Sequence, residues 1–540
     1  MPHLREIRPK AAAGASLTPS PPANIELPRG YRGSVLRGVE AAARASSVSG
    51  PFEASPSAYV VPDDETSLGL VLDWAWSSGI PVIPRGAGTG MPGGNLGAGL
   101  VVEVGASFAG IEVIDQESRR LRVGAGEIAT AVDRAARELG GFLPFLPSSA
   151  PWCRVGGMIG NNAAGARSFR YGSISSWVDA LEGFYPWGER FRVAVGETAP
   201  NRFSQLRSAL MAKLEVSAGG VPSGWPAVRK NSSGYALDRF LPGGEPTELL
   251  VGSEGTLTVI THAELRFAPL PAERGWGVVP LDSAQALEEL ALESAKLGAT
   301  ACEFLGRRFL ELVGPELEPP LRTLAKGAFA LALVEVSGSD PEVRAGLEGI
   351  SRFRPVRSPG FVTRDSEVGE RIWAIRHAAS PIIAREAARG RISTQFIEDC
   401  VVPPRRLAAY LDGLDRILRS LHLDAVVFGH AGDANVHVNP LIDVTRNDWQ
   451  QPVRQALDEV TQLVGTLSGT LSGEHGDGRL RAPMLDKIWS TPLADGFRQV
   501  KQAFDPRQLL NPGVIVPLPG QDPLEGFLPR PRPLRDPDQP

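Results

Sequence analysis

The sequence predicts an α+β protein of more than one domain, on three observations. At about 150 residues per domain, its 540 residues suggest two to four domains with a sizeable core. Its 60 glycines and 47 prolines, about a fifth of the chain, favour a turn-rich fold over a helical bundle. Short apolar strands also alternate with helices on both sides of a Pro-rich junction at residues 269–271.

Charge and composition exclude several classes of protein. With 56 basic and 61 acidic residues, the net charge of -5 offers no basic field, so no nucleic-acid partner is expected. No run of about 18 apolar residues predicts a transmembrane helix. Three cysteines without CxxC spacing exclude a disulfide framework, a zinc ribbon and an iron–sulfur cluster held by this chain alone. We expect a cytoplasmic protein, with peripheral membrane association as the alternative.

The ends of the chain show little apolar periodicity. Residues 1–28 are rich in Ala, Ser and Pro and lack the apolar stretch of a secretory signal, so they are predicted to form a disordered leader. A mitochondrial transit peptide is the alternative, because the segment is basic and nearly free of acidic residues. Residues 517–540 are Pro-rich and are predicted to form a surface tail. After the leader, residues 31–47 are predicted to form a short amphipathic helix.

Residues 29–270 are predicted to form the first domain, which starts with a βαβ-like unit. AYVVPDD and IPVIPRG are typical of strands, and the helix between them ends at Gly79. Short strands follow at LVVEV, IEVID and RLRVGAG, and EIATAVDRAARELGG is typical of a helix. Strands are predicted again along ELLVGSEGTLTVIT, with one strand passing through Gly252 and Gly255.

The glycine-rich segment PRGAGTGMPGG, residues 84–94, directly follows the second strand. Its spacing matches GxGxxG, but no helix begins at the loop, so a Rossmann interpretation fails. Its small residues instead expose successive backbone N–H groups, which is typical of a diphosphate-binding nest; a plain surface turn is the alternative. With two more glycine-rich segments, GGMIGNNAAG and VGSEGT, the loop indicates a long, largely buried cofactor that carries a diphosphate.

Residues 271–470 are predicted to form a second domain, in which helices cover a mixed sheet. ACEFLG, AFALALVEVSG, TQFIEDCVVP and DAVVFGH are typical of strands, and RRLAAYLDGLDRILRSL is typical of a helix. Residues 471–516 are predicted to return to the first domain.

Two short motifs near the C-terminus contain three of the seven histidines. DAVVFGHAGDANVHVNP predicts a hairpin in which His430 faces His437, and Asn439 shares the face of His437 by the two-residue period of a strand. Two imidazoles make half of a zinc-like site, for which Glu474 in SGEHGDGR offers a third ligand. His475 is then left to act as a base. The alternative is a set of buried histidines satisfied by the backbone.

The glycine-rich motifs carry a family resemblance. PRGAGTG, GGMIGNNAAG with RYG behind it, RKNSSGY and GSEGTLTVIT resemble the FAD-binding domain of the vanillyl-alcohol oxidase / p-cresol methylhydroxylase superfamily, over residues 59–270. The resemblance implies a two-subdomain FAD-binding domain of the p-cresol methylhydroxylase type, in which the first loop holds the FAD pyrophosphate. The cofactor contacts that it implies are Arg85, Gly86, Ala87, Gly88, Thr89, Gly90, Pro147, Gly157, Asn162, Gly165, Tyr171 and Ile260. Cys153 is the only thiol in these loops and no histidine lies there, so we expect non-covalent FAD.

The histidine motifs sharpen the resemblance. HAGDANVH, SGEHGDG and AFDPRQLLNPG resemble the C-terminal half of FAD-linked 2-hydroxyacid dehydrogenases, such as D-lactate dehydrogenase, the glycolate oxidase flavin subunit and D-2-hydroxyglutarate dehydrogenase. The resemblance implies an α+β cap, the FAD-linked oxidase C-terminal domain, and oxidation of a 2-hydroxy acid by hydride transfer to FAD. It further implies a divalent metal, Zn or Mn, on three ligands, His475 as the base and two substrate contacts. The metal ligands would be His430, His437 and Glu474, and the substrate contacts Asn439 and Arg376.

The guanidinium fork of Arg376 suits a substrate carboxylate, with a surface salt bridge as the alternative role. The sequence departs from the family at two places. Ala434 stands where relatives carry Gly, which costs little unless that turn needs a positive φ. TQFIEDCVVP lacks the Lys that smaller D-2-hydroxyglutarate dehydrogenases use against the distal carboxylate.

TQFIEDCVVP resembles longer flavoproteins that carry a cysteine-rich iron–sulfur half after NPG, whereas the given sequence has 27 residues after NPG and no cysteine among them. A separate electron acceptor is therefore expected: an iron–sulfur protein, an electron-transfer flavoprotein or a quinone. An oxygen-using oxidase of the superfamily and a non-catalytic FAD-binding subunit are the alternative functions. A homodimer is an open alternative for the oligomeric state.

Overall fold

The computed structural model describes residues 25–46, 48–241, 243–354 and 360–529. In these ranges, the N-terminal half contains a four-stranded sheet, a five-stranded sheet and the two-stranded pair of residues 141–142 and 268–269, and the C-terminal half contains one eight-stranded sheet. Helices cover the sheets of both halves. The predicted α+β class is confirmed.

The N-terminal half begins with a strand and alternates strands with short helices. Its strands are β1 (Gly33–Arg37), β2 (Ala58–Pro62), β3 (Val82–Arg85), β4 (Leu100–Glu103), β5 (Ile111–Asp115), β6 (Arg120–Gly124), β7 (Gly141–Phe142), β8 (Val178–Phe184), β9 (Arg190–Ala194), β10 (Val259–Arg266) and β11 (Ala268–Pro269). Its helices are α1 (Gly38–Ala45), α2 (Glu65–Ser78), α3 (Ala129–Glu138), α4 (Val155–Gly160), α5 (Ser168–Tyr171), α6 (Asn201–Met211), α7 (Leu237–Phe240) and α8 (Pro246–Leu250).

Two sheets divide this half into subdomains. The first has the order β1-β2-β4-β3, with β2, β4 and β3 parallel, and the second is antiparallel with the order β5-β6-β10-β8-β9. Helix α2 joins β2 to β3: Asp64 accepts a hydrogen bond from the amide of Ser67 at its start, and Gly79 ends it at φ +71°. The glycine-rich loop therefore leaves the end of the buried strand β3, as predicted.

The C-terminal half is built on a sheet with the order β15-β12-β14-β13-β18-β19-β16, and β17 also pairs with β19. All of these described pairs are antiparallel, so the prediction of a mixed sheet is wrong. Its strands are β12 (Glu273–Leu281), β13 (Ala299–Gly306), β14 (Ala330–Gly338), β15 (Phe361–Thr363), β16 (Ile392–Ser393), β17 (Cys400–Val401), β18 (Asp424–His430) and β19 (Asn435–Ile442). Its helices are α9 (Ala284–Lys296), α10 (Arg307–Val313), α11 (Pro319–Ala325), α12 (Asp340–Arg352), α13 (Ser366–His377), α14 (Ala379–Ala384), α15 (Leu407–Ser420) and α16 (Gln450–Thr466).

The two faces of this large sheet carry different side chains. One face packs on α9, α12, α15 and α16, and the other packs on α10, α11, α13 and α14. Because side chains alternate along each strand, the second face also receives five polar side chains among its apolar ones. These are Glu303 on β13, Glu335 on β14, His430 on β18, and His437 and Asn439 on β19.

The last described segment crosses back to the N-terminal half. It contains α17 (Gly478–Arg481), α18 (Leu485–Ile488) and α19 (Thr491–Phe504), and Leu485, Phe497 and Phe504 lie in the core of that half. Beyond α19, the amide of Val82 on β3 donates to the carbonyl of Leu509 at 2.8 Å. Residues 471–516 thus contact both halves.

Three secondary-structure predictions are wrong. Residues 33–37 form β1, paired antiparallel with β2, so only α1 of the predicted amphipathic helix is helical. Residues 246–250 form α8 rather than a strand, and Gly252 and Gly255 lie in a turn with φ of +82° and +65° before β10 begins. Only Cys400 and Val401 of TQFIEDCVVP pair as a strand. Pairing with β2 overrides local propensity at residues 33–37, whereas a capping box of Glu245 and Glu248, with Pro246 in the first turn, begins α8.

The two ends of the chain are described in part. Residues 1–24 of the predicted leader and 530–540 of the predicted tail lie outside the described residues. Ile25 is buried in the N-terminal core, and Phe527 packs edge-on against Phe52, with ring centroids 5.3 Å apart. Among the described helices, none is long and apolar enough to cross a membrane.

Candidate active site

The hairpin of β18 and β19 brings the two motif histidines together. Phe428 pairs with His437 and His430 pairs with Asn435, and the two imidazole centroids lie 5.1 Å apart. The turn between the strands puts Ala434 at φ +53°, so the position where relatives carry Gly does need a positive φ. The hairpin itself therefore sets the spacing of the two rings.

Glu474, on the loop that follows α16, completes a cluster with these histidines. Its Oε1 lies 3.1 Å from Nε2 of His430 and 3.3 Å from Nε2 of His437, and all three residues are buried. Nδ1 of His430 donates its hydrogen to Glu303 Oε1 at 2.6 Å. The lone pair on Nε2 of the neutral ring therefore points at a carboxylate oxygen of Glu474, and this contact needs a proton or a cation between the two atoms. The three atoms meet as metal ligands do.

The loop that carries Glu474 and His475 is held by the cap and by the N-terminal half. Oδ2 of Asp399 accepts hydrogen bonds from the amides of residues 473, 474 and 475, at 3.1, 3.1 and 2.8 Å. From the N-terminal half, Asn161 Nδ2 donates to the carbonyl of His475 at 2.9 Å. Glu254 accepts the amides of residues 477 and 478 at 2.6 and 3.0 Å. The loop therefore adopts this conformation only where both halves meet.

His475 lies beside the cluster and is its most accessible residue, with 26% of its side chain exposed. Its Nδ1 is 2.7 Å from Glu398 Oε2, its Nε2 is 3.6 Å from Glu474 Oε1, and its ring stacks on His437 at 5.3 Å. Burial lowers the pKa of His475, but the charges of Glu398 and Asp399 outweigh it and raise this pKa to about 9. Nε2 is the nitrogen left for a substrate.

Five buried carboxylates and three buried cations surround the histidines in the described residues. The carboxylates are Glu303, Glu398, Asp399, Asp433 and Glu474, and the cations are Lys230, Arg376 and Arg481. Lys230 Nζ lies 3.0 Å from Glu474 Oε2 and 3.3 Å from Asp433 Oδ2. Burial raises the pKa of Glu474, but Lys230 and His430 lower it well below its usual value. The excess negative charge is what a bound cation would offset.

The same charges act on His430. Burial lowers its pKa, but Glu303 raises it, and the net pKa lies above the usual value. Glu303 responds in the opposite sense: burial raises its pKa, but His430 and Arg376 bring it down to about 2. Metal ligands must be deprotonated, so a metal ion would displace the proton that these carboxylates hold on His430.

The cluster passes a geometric test for a metal ion. Bonds of about 2.0–2.1 Å from tetrahedral Zn²⁺ to imidazole and carboxylate ligands put neighbouring ligand atoms about 3.3 Å apart. The measured separations of 3.1 and 3.3 Å from Glu474 Oε1 are close to that value. Glu303, which accepts from the far nitrogen of His430, is the outer carboxylate that metal-bound histidines commonly have.

The two predicted substrate contacts also line this face. Arg376 on α13 is buried; its Nε donates to Glu303 Oε2 at 2.9 Å, and its guanidinium lies 4.7 Å from the ring centroid of Phe428. In the described chain its two Nη groups donate to no other group. Asn439 accepts from Ser393 Oγ at 3.2 Å through Oδ1, and its Nδ2 has no partner among the described residues. The salt bridge of Arg376 is buried rather than on the surface.

The glycine-rich loop after β3 has the properties of an anion-binding nest. The backbone N–H groups of residues 86–90 donate to no group in the described chain. Gly88 has φ +74°, and a Cβ there would collide with the guanidinium of Arg85. Gly90 faces Asn161 Nδ2, 3.7 Å from where a Cβ would stand, and Asn161 in turn contacts His475. These residues fit a diphosphate near the histidine cluster.

The other predicted cofactor contacts lie at several places in the N-terminal half. Gly157 faces open space, within 3.9 Å of a Cβ built on Gly86. Asn162 is buried at φ +50°, and Gly165 lies against the backbone before Pro147. Tyr171 packs edge-on against Phe142 at 5.7 Å, and Ile260 pairs with Gly183 inside the second sheet. The structure therefore brings Gly157 to the glycine-rich loop, while Tyr171 and Ile260 contact core residues.

Sequence reasoning missed several residues that shape the site. Glu303, Glu398, Asp399, Lys230 and Arg481 were not predicted. A signal was present for the acids, since Glu303 is the one charge in the apolar strand ACEFLG, and Glu398 and Asp399 interrupt TQFIEDCVVP. A carboxylate in a buried strand needs a partner, so such a position indicates a polar cluster.

Two family models match the chain. Residues 56–194 match the FAD binding domain, and residues 270–515 match the C-terminal domain of FAD linked oxidases. The chain therefore belongs to the FAD-linked oxidase family and is an FAD-linked oxidoreductase.

Its curated relatives are distant. It is 27% identical to glycolate oxidase subunit GlcD of Bacillus subtilis (strain 168), over 86% of this chain and 89% of that protein. It is 28% identical to D-lactate dehydrogenase of Archaeoglobus fulgidus, over 86% and 93% of the two chains. It is also 28% identical to D-2-hydroxyglutarate dehydrogenase of Escherichia coli (strain K12), over 87% of this chain but 49% of that protein.

Solved structures show the same fold. The 4-ethylphenol oxidase from Gulosibacter chungangensis superposes with a TM-score of 0.65 at 13% identity, over 89% of this chain and 94% of that one. An alkyldihydroxyacetonephosphate synthase superposes with a TM-score of 0.57 at 14% identity, over 85% and 78%. The predicted architecture, an FAD-binding domain with an FAD-linked oxidase cap, is confirmed.

Proposed function

We propose that this protein oxidises a 2-hydroxy acid to the 2-oxo acid, with FAD as hydride acceptor and a divalent metal at the cap. One observation carries the proposal: Glu474 Oε1 lies 3.1 Å from Nε2 of His430 and 3.3 Å from Nε2 of His437, with all three ligand atoms within 4.8 Å of one another and directly beside His475. Oxidation of a secondary alcohol removes a hydride from carbon and a proton from oxygen, so the site needs an acceptor and a base.

Non-covalent FAD would be held by the N-terminal half. The free amides of residues 86–90 suit its diphosphate, and Gly157 leaves the space beside them open. When bound, FAD supplies the two-electron chemistry that no side chain of this protein provides. The contact between Asn161 and His475 links the diphosphate loop to the base, which supports a flavin close to the histidine cluster.

His430, His437 and Glu474 would hold the metal. These hard and borderline ligands suit Zn²⁺ or Mn²⁺. When bound, such an ion polarises the hydroxyl and carboxylate oxygens of a 2-hydroxy acid. The three residues also set where the ion sits, because the hairpin fixes both imidazoles and Asp399 fixes the loop that carries Glu474.

The remaining residues would bind and deprotonate the substrate. The free Nη groups of Arg376 suit the carboxylate, and Nδ2 of Asn439 donates to an oxygen of the substrate. Because its pKa is raised to about 9, His475 accepts the hydroxyl proton at Nε2 only in its neutral form, which a cation held by Glu474 would favour by opposing the nearby carboxylates. Since two electrons leave the flavin after each turnover, a separate acceptor is part of the proposal: an iron–sulfur protein, an electron-transfer flavoprotein or a quinone.

Anaerobic reduction of the flavin tests this proposal. A panel of 2-hydroxy acids in both configurations, including D-lactate, glycolate and D-2-hydroxyglutarate, should contain a compound that bleaches the flavin absorbance. With that compound, His475→Asn should bind FAD normally and reduce it about 100-fold more slowly, because the general base is lost. Slow reoxidation by air would support a dehydrogenase over an oxidase. If no 2-hydroxy acid reduces the flavin, or if the variant reduces at the normal rate, the proposal is wrong.

A further inference from the structure

We propose that Glu398 is the positioning residue of this site: it fixes the ring orientation and tautomer of His475 so that Nε2 faces the substrate. This inference rests on the proposed function, in which His475 is the base. Glu398 is buried in the cap, on the irregular segment before β17, and its Oε2 lies 2.7 Å from Nδ1 of His475. A carboxylate accepts and never donates when ionised, so Nδ1 must carry the hydrogen.

That single hydrogen bond decides which nitrogen is the base. In a neutral imidazole one nitrogen donates and the other accepts, so a hydrogen on Nδ1 leaves the lone pair on Nε2. Nε2 of His475 lies 3.6 Å from Glu474 Oε1 and therefore points into the cluster. Without Glu398, the ring is free to turn over or to place its hydrogen on Nε2, and neither arrangement accepts a substrate proton.

Glu398 is itself fixed. Its second oxygen, Oε1, is 2.5 Å from Nη2 of Arg481, and the same Nη2 donates to the backbone carbonyl of Glu398 at 2.7 Å. Arg481 lies on α17 and is buried, as is Glu398. The guanidinium thus balances the charge of the carboxylate and prevents its rotation, so Arg481, Glu398 and His475 form one connected chain.

Asp399, the residue after Glu398, has a different role. Asp399 accepts no hydrogen bond from the ring, since its Oδ2 lies 3.8 Å from Nδ1 of His475, beyond hydrogen-bond length. The same Oδ2 instead accepts the amides of Gly473, Glu474 and His475. Its φ of +79° turns the chain so that two successive carboxylates reach the backbone and the ring of one histidine. Asp399 therefore positions the loop, and Glu398 positions the imidazole.

Glu398 also lies near a second histidine, His437. Its Oε2 also lies 3.6 Å from Nδ1 of His437, beyond hydrogen-bond length, so a weaker influence on the metal ligand is the alternative. Bound metal distinguishes the two roles. Loss of orientation at His475 slows proton removal but leaves the metal in place, whereas disturbance of His437 lowers the metal content.

The test is a double-mutant cycle with stopped-flow reduction of the flavin. Glu398→Gln keeps the size of the side chain but its amide no longer requires a hydrogen on Nδ1. We expect the limiting reduction rate to fall at least about 10-fold, with the substrate dissociation constant changed less than about 3-fold. FAD absorbance and metal per flavin should match the wild-type protein. The double variant with His475→Asn should be no slower than His475→Asn alone, because Glu398 acts through that ring.

Two further variants keep the test decisive. Glu398→Asp retains the charge at a greater distance and should reduce at an intermediate rate, and it decides the question if Glu398→Gln fails to fold. Glu288→Gln is the matched control: this buried cap glutamate accepts the amide of Ala408 at 2.9 Å, outside the site, so its variant should reduce at the wild-type rate.

Three results would overturn the inference. These are a normal rate in Glu398→Gln, a metal loss that accounts for its rate, and additive effects in the double variant. If His475→Asn itself reduces normally, the assignment of the base fails instead, so the two proposals fail in distinguishable ways.

Discussion

The hairpin of β18 and β19 and the loop of residues 472–478 each contribute to the cluster, and they are held in different ways. The hairpin places His430 and His437 through its own strand register. The loop has no regular structure and takes its conformation from Asp399 in the cap and from Asn161 and Glu254 in the N-terminal half. The positions of the hairpin histidines therefore follow from local strand pairing, whereas the positions of Glu474 and His475 depend on the docking of the two domains.

The largest expected effect tests whether hairpin and loop hold one common ion. His437→Gln in the hairpin and Glu474→Gln in the loop should each weaken metal binding more than about 100-fold, because each removes one of three ligands. Metal per flavin after dialysis against a weak chelator measures this. His262→Gln, at a half-buried histidine on β10 that contacts Glu65, should keep its metal. If only the hairpin variant loses metal, Glu474 is not a ligand.

A smaller effect separates the two halves by pH. Burial, with the nearby charge of Asp477, raises the pKa of Glu254 to about 8. A folded-state pKa above the unfolded value of about 4.3 stabilises the fold at low pH, and this stability is lost as the pH rises towards 8. Glu254→Gln cannot ionise, so from pH 5 to pH 8 the wild-type protein should lose at least about 1 kcal/mol of unfolding free energy relative to this variant.

Urea unfolding at several pH values measures that difference. Glu335→Gln is the control: burial raises the pKa of Glu335, but Arg167, whose Nε donates to it at 2.8 Å, lowers it below the usual value. The stability that ionised Glu335 contributes is fully present above about pH 4.3. The difference in unfolding free energy between this variant and the wild-type protein should therefore stay constant from pH 5 to pH 8. Equal pH dependence of all three proteins would show that Glu254 is ionised throughout.

The smallest expected effect belongs to the hairpin turn. Ala434 occupies the left-handed region at φ +53°, which costs a non-glycine residue about 1 kcal/mol. Ala434→Gly should raise the free energy of unfolding by about 0.5 kcal/mol, since relief of strain exceeds the added entropy of the unfolded chain. Ala431→Gly, in the same turn at an ordinary φ, should lower it. Thermal or urea unfolding measures the change in unfolding free energy of both variants. If Ala434→Gly does not stabilise the protein, the turn is not strained.

The same contrast explains what the sequence predicts and what it does not. The period of two along NVHVN places His437 and Asn439 on one face, and the turn brings His430 opposite, so local pattern is sufficient for the hairpin. The glycine loop after β3 follows from composition in the same way. The docking of Glu303, Lys230 and Glu398 depends on which distant strand or loop packs opposite, and no local pattern contains that information.

The wrong predictions have a similar cause. Residues 33–37 pair with β2 as a strand although their composition also suits a helix, because the pairing partner lies 25 residues away. The buried ion pair of Arg376 with Glu303 likewise joins two elements far apart in sequence. Local patterns indicate which residues are functional, while contacts with residues distant in sequence determine the charge and the orientation of their side chains.

The loop of residues 472–478 has a consequence for biogenesis. Chains emerge from the ribosome in order, and domains fold as they emerge. The residues that hold this loop, Asp399 in the cap and Asn161 and Glu254 in the N-terminal half, are all synthesised before it. The hairpin imidazoles are thus in place first, and Glu474 and His475 arrive last. A nascent chain in which the hairpin has already formed therefore still lacks a complete site until this loop docks on both halves.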